Sequence, residues 1–448
     1  MQVKLQIGFI SLGCSKNQVD TEIMMGLLKK AGHSLVSRTE EAELLIINTC
    51  GFLTSAQEEA IQEILQAGEC KQYGQLRRII AAGCLSQRFG EELLEEMPEL
   101  DGVVGISEYL HIVEIVERVW QGERVCMVQP PAREYIEKGP RILTTPPGYA
   151  YLKVAEGCNN RCSYCAIPNI RGRLRSRPLP ELVEEARELA KRGCRELILI
   201  AQDTAAYGKD LKDGTTLAGL LRALEPIEGI EWLRLLYLHP HSIDRALLDE
   251  MKRNRKVLPY LDMPIQHINQ RILKQMHRPE TTAYIQELTE TLRREIPRIT
   301  LRTTMMVGFP GETDEEFEEL LAFTRKAEFE WMGSFVFEPQ DGTAAASLPE
   351  QVAEETAAAR QERLMAAQRR ITRRANKAHI GQTERVLLTG KLENQLYVGH
   401  TASQTPEVDG VTLVQSPQKL TLGTMVPVLM KAVRDYDMIG ELSHEYSE

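Results

Sequence analysis

Three short apolar runs near the start of the chain end alike. LQIGFISLGC, ELLIINTC and RRIIAAGC each finish on a cysteine: Cys14, Cys50 and Cys84. Each is followed by a stretch with apolar positions three and four residues apart: QVDTEIMMGLLKKAG, SAQEEAIQEILQAG and LSQRFGEELLEEM. Apolar runs alternating with amphipathic stretches predict strand–helix units and a parallel sheet with helices on its faces. The carboxyl ends of such strands share one edge, where ligands bind. Cysteines 36 and 34 residues apart in sequence therefore reach the same edge. One such cysteine reads as a small buried residue. Three in the same structural slot favour a shared metal site.

VQPPAREYIEKGPRILTTPPG, residues 128–148, is rich in proline and polar residues and reads as a linker. A second alternation follows. YAYLKVAEG, ELILIAQD, WLRLLYLHP, LPYLDMPIQ, TLRTTMMVGFP and WMGSFVFEP predict six parallel strands, with patterns such as LPELVEEARELAKRG and TDEEFEELLAFTRKA as the helices between them. That order suggests a partial barrel with its chemistry at the strand carboxyl ends. A long charged helical stretch then leads to ERVLLTG, QLYVGHT, GVTLVQS and TMVPVLMKAVRDYDMIGEL, short strands of a small β-barrel. The expected fold is α/β. It comprises an N-terminal parallel-sheet α/β domain (4–122), a linker (123–148), a central (β/α)6 partial TIM-type barrel (149–375) and a C-terminal small antiparallel β-barrel (376–446).

With 448 residues the chain is too long for one ordinary core. A net charge of −10 argues against a generic nucleic-acid binder but leaves room for a local basic patch. No apolar run is long enough for a membrane span, and the first residues lack a signal-peptide layout, so a cytoplasmic protein is expected. From Lys377 onward there are six Lys and Arg against nine Asp and Glu. An acidic barrel suits a basic protein partner better than a phosphate backbone. The basic run Arg369, Arg370, Arg373, Arg374 and Lys377 reads as a solvated helix face, with a substrate contact as the lesser reading.

EGCNNRCSYCAIP, residues 156–168, directly follows the first strand of the second alternation. Its cysteines, Cys158, Cys162 and Cys165, have the spacing C-x3-C-x2-C. In a reducing compartment such clustering points to metal or redox chemistry. Structural zinc needs four ligands, and no fourth cysteine or histidine lies close. A four-iron cluster held by three thiolates keeps one iron open for another ligand.

C-x3-C-x-aromatic-C, with Tyr164 before the last cysteine, resembles the radical S-adenosylmethionine motif. SLGCSKNQVD, INTCGF and GCLSQR extend the resemblance to the methylthiotransferase family over nearly the whole chain. The resemblance implies two 4Fe-4S clusters, one on Cys158, Cys162 and Cys165 and an auxiliary one on Cys14, Cys50 and Cys84, with S-adenosyl-L-methionine as cofactor and methyl donor. The terminal barrel is then TRAM-like. VAEGCNNRCSYCAIPNIRGRLRSRP and YLDMPIQHINQRILKQMHR resemble the branch that methylthiolates the β-carbon of an aspartate in a small-subunit ribosomal protein. A basic small-subunit ribosomal protein is then the substrate, with an external electron donor and sulfur source, no membrane contact and direct RNA binding not favoured. One rival is methylthiolation of a tRNA adenosine. Another is a non-catalytic electron carrier, although carriers usually close every iron with a protein ligand.

No side chain is assigned a catalytic role, because the chemistry starts at the cluster. The cofactor-binding candidates are Tyr164, Gln202, Asp203, Gly308 and Gly311. Tyr164 would pack against cluster and adenine. Gln202 and Asp203 lie at a strand's carboxyl end and could meet the ribose or methionine head, or cap the next turn. Gly308 and Gly311 could admit a ligand to the backbone or form a tight turn. Arg171, Arg173, Arg175 and Arg177 could offset cluster charge, hold a carboxylate or pair at the surface. His239 and His241 are given no role, and Cys70, Cys126 and Cys194 are read as structural.

Overall fold

A computed structural model of the chain describes residues 4–135 and 139–443. Residues 136–138 of the expected linker and 444–446 of the expected barrel lie outside the described residues. The chain divides into two compact units. The first holds the residues up to 144, 155–176 and 338–346, and the second holds 145–154, 177–337 and the residues from 347 onward.

The first unit is built on β1 (Gln6–Ser11), β2 (Ser34–Val36), β3 (Leu44–Thr49), β4 (Arg78–Gly83), β5 (Gly102–Val104) and β6 (Val125–Met127). They form one parallel sheet in the order β2-β1-β3-β4-β5-β6. β3 is buried at every position, as expected for a parallel strand covered on both faces. Its alternate side chains serve two cores: Leu44 and Ile46 pack with Met24, Leu28 and Val116, and Leu45 and Ile47 with Ile64, Ala67 and Leu93. Each fully buried Leu or Ile contributes about 1.5–3 kcal/mol. The predicted strands are β1, β3 and β4, which are adjacent. β2, β5 and β6 are three residues each, too short for any periodicity to show. β6 also takes its residues from the start of the expected linker, and the end of that linker is packed. Buried Glu22 pairs with Arg141 at 2.5 Å and accepts from the Thr144 N–H and Oγ1 at 2.7 and 3.0 Å.

Past residue 144 come β7 (Tyr149–Lys153), the two-residue strands β8 (Ala155–Glu156) and β9 (Arg175–Ser176), then β10 (Glu196–Ile200), β11 (Trp232–Leu235), β12 (Val257–Asp262), β13 (Thr300–Val307) and β14 (Trp331–Val336). β8 and β9 pair antiparallel within the first unit. In the second unit β7 and β10–β14 form an open parallel sheet whose spatial order follows the sequence, as predicted. Helix Glu354–Lys377 leads to β15 (Thr383–Glu393), β16 (Leu396–His400), β17 (Thr412–Gln415), β18 (Met425–Arg434) and β19 (Asp437–Leu442). These close into a barrel that is not wholly antiparallel, because β17 and β19 pair in parallel. Five strands in a ring cannot all alternate in direction, so one parallel pair is unavoidable.

The loop joining β16 to β17 fills the open sheet, and every strand of that sheet meets either the loop or His400 at the end of β16. Tyr149 and Tyr151 donate to Glu407, each at 3.0 Å. His400 meets Glu196 at 2.5 Å. Arg234 donates to Glu196 at 2.6 Å and to the carbonyls of Ala402 and Thr401. Tyr260 donates to Asp409 at 2.7 Å, Arg302 donates to Asp409 at 3.3 Å, and the Trp331 indole N–H meets the Ser403 carbonyl at 2.7 Å. Burial raises the Glu196 pKa, but the charges of Arg234 and His400 outweigh it and hold the carboxyl ionised. These contacts also revise the charge of the barrel. Glu407 and Asp409 face the sheet, and Glu384 pairs with Arg298 and His379. Among the described residues from Lys377 onward, seven carboxylates stand against six Lys and Arg, and three of the seven are engaged in these pairs.

At the carboxyl ends of the sheet strands, Glu280 ties two loops together. It meets His239 Nδ1 at 2.8 Å and Arg278 Nε at 3.3 Å, and accepts from the His241 N–H at 3.0 Å. Burial would raise its pKa, but the His239 hydrogen bond and the Arg278 charge hold it at about 2. Replacing Arg234 by Met strands the Glu196 charge in the core. We expect a loss of about 3–5 kcal/mol, read as a lower urea midpoint with unchanged slope. For Glu280 the folded pKa lies below the unfolded one, so its contribution is complete above pH ~4.5 and fades toward pH ~2, by at most about 3 kcal/mol. Glu280→Gln should therefore flatten this part of the acid unfolding curve, and an unchanged curve would refute the assignment.

Candidate functional site

The first sheet sets its three cysteines level. Ser11 pairs with Asn48 and Thr49 with Gly83, so β1, β3 and β4 end together. Cys14 precedes helix Ser15–Lys30, Cys50 follows β3 directly, and Cys84 opens helix Cys84–Glu96. Glycines let the three loops close on one another. A Cβ on Gly13, at φ +86°, would stand 2.9 Å from the Cys50 Cβ, and one on Gly51 would stand 2.8 Å from the Cys84 carbonyl. Asn17 joins the loops from within, its Nδ2 donating to the carbonyls of Leu12 and Thr49 at 3.2 and 2.9 Å. Asn48 Nδ2 in turn donates to the Asn17 carbonyl at 2.7 Å.

The second triplet belongs to the same unit. The β8–β9 ladder closes the base of its loop, and the Cys158 N–H bonds to the Gly172 carbonyl at 3.1 Å. The Cys165 N–H bonds to the Cys162 carbonyl at 3.1 Å, and Tyr164 is buried. Directly after Cys165 the chain forms the short helix Ile167–Arg171. Ala166 and Ile170 pack against Cys84, so the residues following one triplet touch a member of the other.

Arg171 is the strongest link. Its side chain is buried, which sets aside the surface-pairing reading. Nε donates to the Cys84 sulfur at 3.3 Å. One Nη meets Glu156 at 2.7 Å and Asp20 at 3.2 Å, and the other meets Asn17 Oδ1 at 2.5 Å and Asp20 at 3.2 Å. Burial works against its charge, but Cys84, Glu156 and Asp20 together outweigh that and keep it protonated. The thiols respond unequally. Burial pushes Cys84 up to about 12, and burial also raises Cys50. At Cys14 burial pushes the same way, but the charges of Lys16 and Arg171 and the backbone N–H of Asn17 bring the thiol below its usual range.

Among the described residues no three Cys, His, Asp or Glu side chains converge as donors to one metal ion. The donor chemistry fits a cluster instead. Its thiolates bind different irons, and so suit three sulfurs spread over neighbouring strand ends. Sequence reasoning took the cysteines and overlooked the groups around them. SLGCSKNQVD also carries Asn17 and Asp20, and EGCNNRC begins with Glu156. Segment 338–346 was missed as well. Its Gln340 accepts from Arg88 at 2.8 Å and donates to Thr54 Oγ1 at 3.1 Å, beside Cys50 and Cys84 in sequence. The structural reading of Cys70 is corrected, because it is exposed. Cys126 is half-buried in β6, and Cys194 is buried.

The remaining candidates lie in the second unit. Gln202 and Asp203 follow β10, and Asp203 accepts from Ser242 Oγ at 2.8 Å and the His239 N–H at 3.2 Å. Gly308 follows β13 at φ +73°, where a Cβ would stand 2.5 Å from that of Ala357. Its N–H bonds to buried Glu312 at 2.7 Å, which also holds His267 at 3.1 Å and Arg360 at 2.7 Å. Gly311 has φ +76°. On the same edge Tyr237 and Gln266 adopt φ of 60° and 68°. Non-glycine residues rarely do so, and such strain gathers at functional sites. No sequence signal marks them.

Residues 152–324 match the Radical SAM superfamily, residues 6–105 the Uncharacterized protein family UPF0004, and residues 380–442 the TRAM domain. The Ribosomal protein uS12 methylthiotransferase RimO of Syntrophomonas wolfei is 53% identical over 437 residues, covering 98% of this chain and 100% of that protein. Its namesake in Pelotomaculum thermopropionicum is 45% identical over 439 residues, covering 98% of this chain and 99% of that protein. Among solved structures, the radical S-adenosylmethionine methyltransferase TsrM from Kitasatospora setae, with cobalamin and a [4Fe-4S] cluster bound, shares the fold. Its TM-score is 0.56 at 14% identity, over 77% of this chain and 74% of that one. The cobalamin-dependent radical enzyme OxsB gives a TM-score of 0.54 at 11% identity, over 81% of this chain and 56% of that one. Matched along its length by these relatives and carrying cysteine triplets on one compact unit, the chain belongs to the ribosomal protein uS12 methylthiotransferase family.

Proposed function

We propose that this chain methylthiolates the β-carbon of an aspartate in the small-subunit ribosomal protein uS12, in the cytoplasm. The observation that carries the proposal is the packing of Cys84 against the helix that follows Cys165, with Arg171 hydrogen-bonded to its sulfur. Two three-thiol sets built next to each other suit a reaction in which one activates carbon and the other presents sulfur. Cys158, Cys162 and Cys165 would hold one 4Fe-4S cluster, and Cys14, Cys50 and Cys84 the other. Tyr164, Gln202, Asp203, Gly308 and Gly311 would bind S-adenosyl-L-methionine. Together these groups supply homolysis of an unactivated C–H bond and a transferable sulfur, which side-chain acids and bases cannot provide.

The chain's own residues set the conditions. Arg171 offsets negative charge where three thiolates and two carboxylates gather. The glycine-lined loops and the Asn17 bonds hold Cys14, Cys50 and Cys84 at fixed spacing before any cluster binds. Glu312 fixes the Gly308 loop through His267 and Arg360. The relatives favour the protein-modifying branch over tRNA. An acidic barrel lends this reading less support than its charge count implies, since Glu384 and Asp409 are engaged in ion pairs within the chain. A domain division at 4–122, 123–148, 149–375 and 376–446 belongs to the same proposal, as do an external electron donor and sulfur source.

Two outcomes are expected after anaerobic reconstitution. Cys84→Ala and Cys162→Ala should each retain about half the iron and sulfide of the parent chain, and both should lose the methylthio mass gain on the aspartate peptide. Full iron in Cys84→Ala would remove the second cluster from the account. Arg171→Met leaves Asp20 and Glu156 buried without their partner, and the metal-free chain should lose about 3–5 kcal/mol in urea unfolding. Arg171→Lys should recover only part of this, because an ammonium cannot reproduce the planar fork. Equal stability of Arg171→Met and the parent would contradict the role given to this residue.

A further inference from the structure

The second unit carries a basic surface on two neighbouring helices. Helices Asp314–Ala327 and Glu354–Lys377 lie side by side and run in the same direction: Arg360 meets Asp314, Arg363 meets Glu318, and Arg374 meets Glu328. Each helix has acidic residues in its first turn and basic residues in its last. Parallel packing therefore puts both basic halves together. A groove of about 380 Å³ runs between them, lined by Leu321, Ala366 and Ile371 with Arg325, Arg363, Arg370 and Arg374 along its sides. Arg369, Arg373 and Lys377, exposed on the second helix, continue the surface, giving seven cations against Glu318, Glu328 and Glu362 on a chain of net charge −10.

Helix dipoles account for cations in the last turns, but not for Arg363, Arg369, Arg370 or Arg373. Nor do local partners. Only Arg363 and Arg374 of the groove arginines have an ion pair among the described residues, and all four carboxylate and guanidinium groups involved are at least half exposed. Arg369, Arg373 and Lys377 recur every fourth residue, and so do Arg370 and Arg374, which makes two rows with steps of ~6 Å. That is the scale of successive phosphates along a strand. Six of the seven are arginine, the residue suited to bidentate phosphate contacts.

We infer that this groove is a docking surface for the phosphate backbone of RNA. An acidic polypeptide is the alternative occupant. RNA is preferred because the ribosomal-protein substrate lies among RNA in its assembled particle, and to that extent the choice rests on the proposed function. Bound there, the chain would be anchored on the particle through its second unit, whereas the cysteine triplets belong to the first.

The test is filter binding of labelled small-subunit ribosomal RNA to the full chain across a KCl series. Arg325→Gln, Arg370→Gln and Arg374→Gln, all lining the groove, are combined in one variant. Arg38→Gln, Arg118→Gln and Arg187→Gln, on other exposed surfaces, form a charge-matched control, and thermal melts confirm that both fold. The groove variant should bind at least about tenfold more weakly at low salt, with a salt slope shallower by about 2, while the control binds like the parent. Equal weakening of both variants, or none, overturns the proposal. So does loss of binding to a labelled poly-glutamate peptide with RNA binding intact, which would assign the groove to an acidic protein. The assay needs neither clusters nor S-adenosylmethionine. Groove-dependent RNA binding without methylthiolation would therefore count against the proposed function alone, and the reverse would count against the groove alone.

Discussion

A single guanidinium joins the two halves of the chemistry. Arg171 is buried with Asp20, Glu156 and Asn17, and its remaining N–H points to the Cys84 sulfur. A buried charge is tolerated only when it is paired and hydrogen-bonded, so the helix that follows the second cysteine triplet has little freedom to move from the sheet edge bearing the first. Several sequence features make sense under that constraint. The strands bearing Cys14, Cys50 and Cys84 must end level, their loops need glycine, and the triplet loop must be closed at its base by β8 and β9.

The second unit is arranged on a different principle. The amino-terminal part of its open sheet is filled by a loop from the terminal barrel through buried polar pairs such as Tyr260 with Asp409. The carboxyl-terminal edge carries glycine turns and the strained residues Tyr237 and Gln266. This is the usual split in barrels of parallel strands, with stability at one end and chemistry at the other. The β16–β17 loop thus supplies side chains that a six-stranded open sheet lacks.

Much of the architecture was legible in the sequence because long apolar strands announce themselves. β1, β3 and β4, and all six strands of the second sheet, follow from apolar runs bounded by glycine, proline or cysteine. Cys158, Cys162 and Cys165 stood out by their spacing, and Cys14, Cys50 and Cys84 by their place after three predicted strands. What could not be read depends on contacts between distant residues. Nothing in RGRLRSRP separates exposed Arg173 from buried Arg171, Arg175 and Arg177, and a charge count over the terminal barrel cannot show that Glu407 and Asp409 bond to the open sheet. The parallel β17–β19 pair follows from ring closure, which becomes visible only once five strands are known to close. The basic helix was rightly read as solvated along one face, yet its partner helix, which makes the groove, lies some forty residues earlier.

The central claim is that this chain modifies an aspartate of a ribosomal protein. The direct measurement is a paired mass assay on the reconstituted chain with S-adenosylmethionine, reductant and sulfide, offering purified uS12 in one tube and unmodified tRNA in the other. The account predicts a methylthio mass gain on an aspartate peptide of uS12 and none on the tRNA. A gain on a tRNA adenosine, with uS12 unchanged, would contradict it.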